Sequence, residues 1–197
     1  AGGALCRGSQ AYEHTVGPLV GHDRVTVTAD DFSGAAVNQT IHRYYITDTG
    51  DNHLPPHWQR GKEWKTEVYE GAGTTLLQES ETTWAGDTDF SYVAETVSTD
   101  HSGGEPVSTR TAYSYTVGAQ GGAQYGNLTH VREYGDGAEP YRTTVTTYTV
   151  NTDVNAWMVA KPQTVKVYGG DEGGELLSWS ESYYDGATDL ATPPVSG

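Results

Sequence analysis

Seven histidines, five tryptophans and 26 acidic residues are the material for chemistry in this chain. His53 and His57 flank Leu54-Pro55-Pro56. Two imidazoles four residues apart grip zinc when a helix sets them on one face. The two prolines break such a helix, so both read as loop imidazoles. His130 stands in a strand-like run and reads as a sheet-surface residue. Calcium needs several oxygens converging from one short loop. Asp48-Thr49-Gly50-Asp51-Asn52 and Gly86-Asp87-Thr88-Asp89 come nearest, with Asp30-Asp31 and Asp171-Glu172 as further acidic loops. None completes a calcium-loop pattern, and Asp in turns bonds its own backbone. Calcium is thus the one cofactor candidate, and otherwise no cofactor is expected. With 26 acids, no carboxylate pair stands out as a glycosidase pair. No Gly-x-Ser-x-Gly elbow and no Gly-x-x-x-x-Gly-Lys loop occurs. Cys6 is the single cysteine, so it forms no internal disulfide. No catalytic residue and no metal ligand is assigned, and the chain reads as a non-enzyme.

The tryptophans are Trp58, Trp64, Trp84, Trp157 and Trp179. Trp58, beside Pro55-Pro56, is the candidate for stacking on a glycan; core packing is the commoner use of the ring. Trp64 and Trp84 are expected to pair across a hairpin. Asn38-Gln39-Thr40 and Asn127-Leu128-Thr129 match the glycosylation sequon.

The elements that must position these residues are strands. Tyr, Thr, Val and Gly dominate, and β-branched and aromatic residues suit a pleated, half-buried surface. Val107, Thr109, Thr111, Tyr113, Tyr115 and Val117 alternate with Ser108, Arg110, Ala112, Ser114 and Thr116, which predicts one half-buried face. Arg24 to Ala29 alternates likewise, and Val145 is expected to point inward. Gly-rich turns at 31–34, 70–73, 102–104, 135–137 and 169–174 divide the runs. Five hairpins follow, with arms 23–29 and 39–47, 63–70 and 75–84, 91–99 and 107–117, 127–134 and 141–150, and 162–168 and 175–184. Helix is expected nowhere beyond a short turn near 57–61. The fold class is all-β, built of stacked antiparallel hairpins. Residues 1–22 read as a lead-in, 23–186 as the hairpin region and 187–197 as a tail.

Two of the hairpins repeat each other. Val68-Tyr69 and Val167-Tyr168 lie 99 residues apart, whereas Leu76-Leu77 and Leu176-Leu177 lie 100 apart. One residue is therefore inserted in the second turn. A lone hairpin is marginal in water, so such units must share a core with neighbours.

Tyr125-Gly126-Asn127-Leu128-Thr129, then Val131 through Tyr134-Gly135-Asp136-Gly137, and Tyr183-Tyr184-Asp185-Gly186 resemble the YD repeat of bacterial Rhs proteins. The same repeats occur in the B and C components of toxin complexes and in teneurins. The resemblance implies a β-sheet that winds into a shell or stalk and catalyses nothing. Some members carry an Asp-Pro-rich self-cleaving segment; this sequence has no Asp-Pro dipeptide, so no cleavage site is carried over.

The net charge of −15 argues against a nucleic-acid partner, which needs a basic face, and against docking to anionic lipid. No apolar run approaches the roughly 20 residues of a membrane helix. No signal peptide is visible, and Ala1 fits a mature product or an internal piece of a longer chain. The expected function is a secreted or cell-surface structural segment, pairing through sheet edges with further repeats or copies of itself. The competing expectation is a carbohydrate-binding or adhesive β-sandwich.

Overall fold

The computed structural model describes residues 7–15, 22–30, 35–45, 57–86, 90–116, 126–151 and 158–185. Among them the regular structure is antiparallel strand, apart from a 3-10 turn at His57–Gln59. The strands are β1 (Arg7–Thr15), β2 (His22–Asp30), β3 (Ala36–Tyr44), β4 (Glu63–Glu70), β5 (Thr75–Gly86), β6 (Ser91–Asp100), β7 (Val107–Tyr115), β8 (Leu128–Tyr134), β9 (Arg142–Asn151), β10 (Met158–Gly169) and β11 (Glu175–Glu181). The chain divides into two compact units, residues 1–109 and 110–197, with the boundary inside β7. In each unit every strand pairs with its neighbours in chain order. The expected all-β class and the hairpin arms are therefore observed.

Several boundaries differ from the sequence reading. β1 lies inside the stretch 1–22 read as lead-in, and it pairs with β2 from Arg7↔Asp30 to Thr15↔His22. Its sequence, Arg-Gly-Ser-Gln-Ala-Tyr-Glu-His-Thr, has no apolar alternation; the backbone ladder to β2 makes it a strand. β3 begins at 36 rather than 39, because the ladder to β2 reaches Asp30↔Ala36, and it ends at Tyr44, with 46–47 outside the described residues. β10 begins at Met158 and contains Pro162, which cannot donate to a ladder. The β9–β10 register shifts between Pro162 and Thr164, so the proline sits at an irregularity. The expected arms 107–117 and 175–184 end at Tyr115 and Glu181.

Burial does not follow the expected alternation in β7. Val107 is 61% exposed, Thr109 is exposed, and Arg110 to Tyr115 are half-buried at both parities. β6 is likewise half-buried from Ser91 to Thr99. Same-face neighbours on adjacent strands shield such residues from both sides. Val117 lies outside the described residues, as does 187–197.

Among the described residues the buried side chains of the strands are few, lying across three strands in the first unit and along one strand in the second. In the first unit Thr26, Ile41 and Glu67 are opposite one another on β2, β3 and β4, and all three are buried. In the second, Thr143 and Val145 on β9 are buried, Val145 pointing inward as expected. Residues directly opposite, or two apart on one strand, share a face, so each group is one stripe of one surface.

Candidate functional site: a clasped hairpin used repeatedly

The hairpin β4–β5 and the hairpin β10–β11 have the same register. Tyr69 faces Leu76 and Val68 faces Gln78; Tyr168 faces Leu176 and Val167 faces Ser178. Both carry a bulge at the Val-Tyr step, which leaves Leu77 and Leu177 as the extra residues. The turns match as well. Gly71 and Gly170 adopt left-handed φ of 58° and 84°, and each donates its N–H to a carbonyl at the start of the preceding strand region, Val37 and Tyr141. Gly73 and Gly173 both have φ of 91°. Glycine takes these angles at no steric cost.

The open end of each hairpin is closed by an aromatic side chain. Trp84 Nε1 donates to the Glu63 carbonyl at 2.8 Å, and Tyr184 Oη donates to the Pro162 carbonyl at 2.7 Å. A lysine lies over each ring: Lys62 Nζ is 4.3 Å from the Trp84 centroid and Lys161 Nζ is 5.5 Å from that of Tyr184. Lys62 and Lys161 are 99 residues apart, the same offset as the Val-Tyr pairs. β8–β9 uses the same clasp, with Tyr148 Oη donating to the Leu128 carbonyl at 2.8 Å. Burial pushes the Tyr148 phenol pKa up, so the ring keeps the proton it donates.

The motif residues expected from the sequence fall into this scheme. Val68, Tyr69, Val167 and Tyr168 form the bulged step. Leu128 supplies the clasp carbonyl of β8–β9. Asn127 is buried; its N–H donates to Thr116 Oγ1 at 3.0 Å and its carbonyl accepts the Thr116 N–H. Gly126 has φ of 65°. Tyr134 lies under the Arg110 guanidinium, 3.7 Å from ring centroid to Cζ, and Gly135 is exposed in the following turn. Tyr184 is the clasp, and Asp185 after it is left-handed at φ 55°. Tyr125 lies outside the described residues. Trp58, the glycan candidate, is half-buried in the 3-10 turn rather than displayed. The expected Trp64–Trp84 pair is replaced: Trp64 meets Tyr45, with centroids 6.0 Å apart, and Trp84 is held by Glu63 and Lys62. The sequence reading missed both lysines and Tyr148, although the 99-residue offset signals the lysines.

The faces of the two matched hairpins differ in chemistry. On β4–β5 Lys65 Nζ lies 2.7 Å from Glu79, 2.9 Å from Glu81 and 3.8 Å from Glu67. Arg43 completes the pairing of buried Glu67 at 2.8 Å, and His101 Nε2 lies 3.3 Å from Glu79. Burial opposes the Lys65 charge, but its bonds to Glu79 and Glu81 outweigh that and hold its pKa above the ordinary lysine value. The Lys65 bond draws the Glu79 carboxyl below its ordinary value against the opposing effect of burial, with help from His101. An ionised carboxylate with matched cations is poorly suited to giving a proton at neutral pH.

On β10–β11 the positions of Glu67 and Glu79 are taken by Lys166 and Trp179. The inserted residue falls in the turn tip, between Gly170 and Gly173. That tip carries Asp171 and Glu172, which reach β8: Asp171 Oδ1 accepts from Arg132 Nε at 3.1 Å, and Glu172 lies 3.1 Å from His130 Nε2. This acidic loop is thus engaged by an arginine and a histidine. Of the calcium candidates, 48–52 and 87–89 lie outside the described residues. Among the described residues, no group of three or more His, Cys, Asp or Glu is placed to hold a metal ion.

No protein-family model matches the chain, and no curated protein matches it. Among solved structures, the crystal structure of TcdB2-TccC3-TEV is similar, with a TM-score of 0.57 at 10% sequence identity over 96% of this chain. The chain spans 14% of the length of the chain it matches. The likeness is one of fold: an antiparallel hairpin sheet of the kind present in that protein.

Proposed function

We propose that this chain is a non-catalytic structural segment of an Rhs-like β-repeat protein, secreted or on the cell surface, serving as part of a shell, stalk or self-assembling scaffold. The observation that carries this reading is the repeated clasped hairpin. Register, bulge, turn glycines and aromatic clasp recur at a fixed offset while the face residues change. A backbone device kept from copy to copy, with faces that vary freely, is the mark of a repeat that builds rather than reacts. The fold likeness to TcdB2-TccC3 agrees with it, as does the YD-like sequence at Gly126–Thr129 and Tyr183–Gly186.

Light scattering of the purified chain, followed by electron microscopy of the same sample, tests this. Concentration-dependent association through sheet edges is the expected result. A compact monomer that binds polysaccharide through Trp58 would replace this reading with the carbohydrate-binding one.

A further inference from the structure

β11 is terminal in the strand order, so among the described residues one of its edges has no strand beside it. It is also unusually apolar for such a position. Leu176 is 50% exposed, Leu177 56% and Trp179 56%. Edge strands are normally blunted with charge, proline or cover, because bare edges recruit other strands. β11 carries charge only at its two ends, Glu175 and Glu181.

The first unit contains the same hairpin with its edge filled. β5 is the counterpart of β11, and Leu76 and Leu77 are half-buried there. β6 covers them. It pairs with β5 through Gln78↔Asp100, Glu79↔Thr99, Ser80↔Ser98, Glu81↔Val97 and Thr82↔Thr96. The residue after β6 completes the join, as the His101 N–H donates to the Leu77 carbonyl at 2.8 Å.

We infer that the outer edge of β11 is an acceptor for one further antiparallel strand of this repeat type, in the register that joins β6 to β5. The incoming strand lies opposite Ser178 to Ser182, and the residue after it gives its N–H to the Leu177 carbonyl. Its side chain beside Leu177 and Trp179 is uncharged or apolar. At the matching place in the first unit His101 serves Glu79, whereas here a tryptophan replaces that carboxylate. The inference rests on the structural-repeat reading and names the partner of one edge.

The test uses the full chain and a synthetic peptide with the sequence Ser91–His101, the strand that fills the matching edge. High salt screens their shared negative charge. Amide hydrogen exchange is followed across β4–β5 and β10–β11, together with light scattering. Expected are exchange slowed about tenfold at the outward-facing Trp179 and Glu181 amides when the peptide is added, the Ser178, Ser180 and Ser182 amides already facing β10, smaller assemblies in its presence, and loss of both effects in Trp179→Lys. A second variant, Leu177→Lys, does the same without touching the β10-facing pair of Trp179. Protected β4–β5 amides with no peptide effect at β11 would overturn the inference and leave the repeat reading standing. Assemblies whose β11 amides exchange freely, or that protect β11 and ignore the peptide, would also overturn it, the latter pointing to a second copy in another register. Unprotected β4–β5 amides in the chain alone would sink the repeat reading itself.

Discussion

Lys65 is one ammonium facing three carboxylates, and one of them, Glu67, is buried. Removing the cation leaves those charges to repel one another in a half-desolvated stripe. Lys65→Met is expected to cost about 1–3 kcal/mol in urea unfolding, the range for stranding charged hydrogen-bonding partners. Adding Glu79→Gln should recover part of that loss, and a double-mutant cycle reads the coupling. The acid side of the stability curve follows from Glu79. Its folded pKa lies below the ordinary 4.5, so the folded state binds this proton less readily than the unfolded chain. The resulting stabilisation is present above pH 4.5 and is lost as pH falls through the folded value. Asp100, bonded by Ser102, and Asp171, bonded by the Glu172 N–H and by Arg132, are shifted in the same direction. Unfolding measured between pH 6 and pH 3, taken as roughly the range over which carboxylates protonate, should therefore show falling stability on acidification. The fall should be shallower in Lys65→Met, which removes the main cause of the Glu79 shift.

At the scale of the hairpin, the clasp ties the end that the turn leaves open. A two-stranded arm frays from that end, and one hydrogen bond plus ring packing holds it. Tyr148→Phe and Tyr184→Phe remove the donor and keep the ring. Each is expected to cost about 0.5–1.5 kcal/mol and to speed amide exchange at the open end of its own hairpin only. An equal loss of protection throughout the unit would show that the clasp acts on global stability instead. Gly86, at the end of β5, has φ of 118°, and a Cβ there would stand 2.1 Å from the Phe90 carbonyl oxygen. Backbone cannot yield as a long side chain can. Gly86→Ala is expected to destabilise by about 1–3 kcal/mol through strain at a conformation reserved for glycine, measured by thermal unfolding. Gly61 also has positive φ, 77°, but open space around it. Gly61→Ala carries the backbone strain without the clash, so the smaller loss is expected there.

Across the whole molecule, net charge acts beyond the ladders. A net −15 opposes both compaction and the approach of another acidic chain. Rising salt screens that repulsion over a Debye length of about 10 Å at 0.1 M. Melting temperature and assembly size are both expected to increase with sodium chloride, read by scanning calorimetry and light scattering. A melting temperature that falls with salt would mean that the Lys65 and Arg132 ion pairs outweigh the net repulsion.

The strand order was legible in the sequence because period-two runs and glycine turns alternate along it, and an all-β meander needs little else. The Val-Tyr and Leu-Leu offsets likewise announced the repeat and the inserted residue. β1 was not legible, because a ladder can recruit a polar edge strand that has no apolar pattern of its own. Nor was the clasp: its acceptor is a main-chain carbonyl, which any residue supplies, so Glu63, Leu128 and Pro162 share a role without sharing a side chain. Trp64 and Trp84 looked like partners by spacing, yet register turned one toward Tyr45 and the other toward the start of β4. The order of residues along the chain was enough to specify the hairpins and their likeness to one another. Which residues lie opposite one another was settled on folding, and with that came the ion stripe around Lys65 and the apolar character of β11, the last strand among the described residues. Cross-strand neighbours are set by register, and a shift of one residue sends every side chain to the other face.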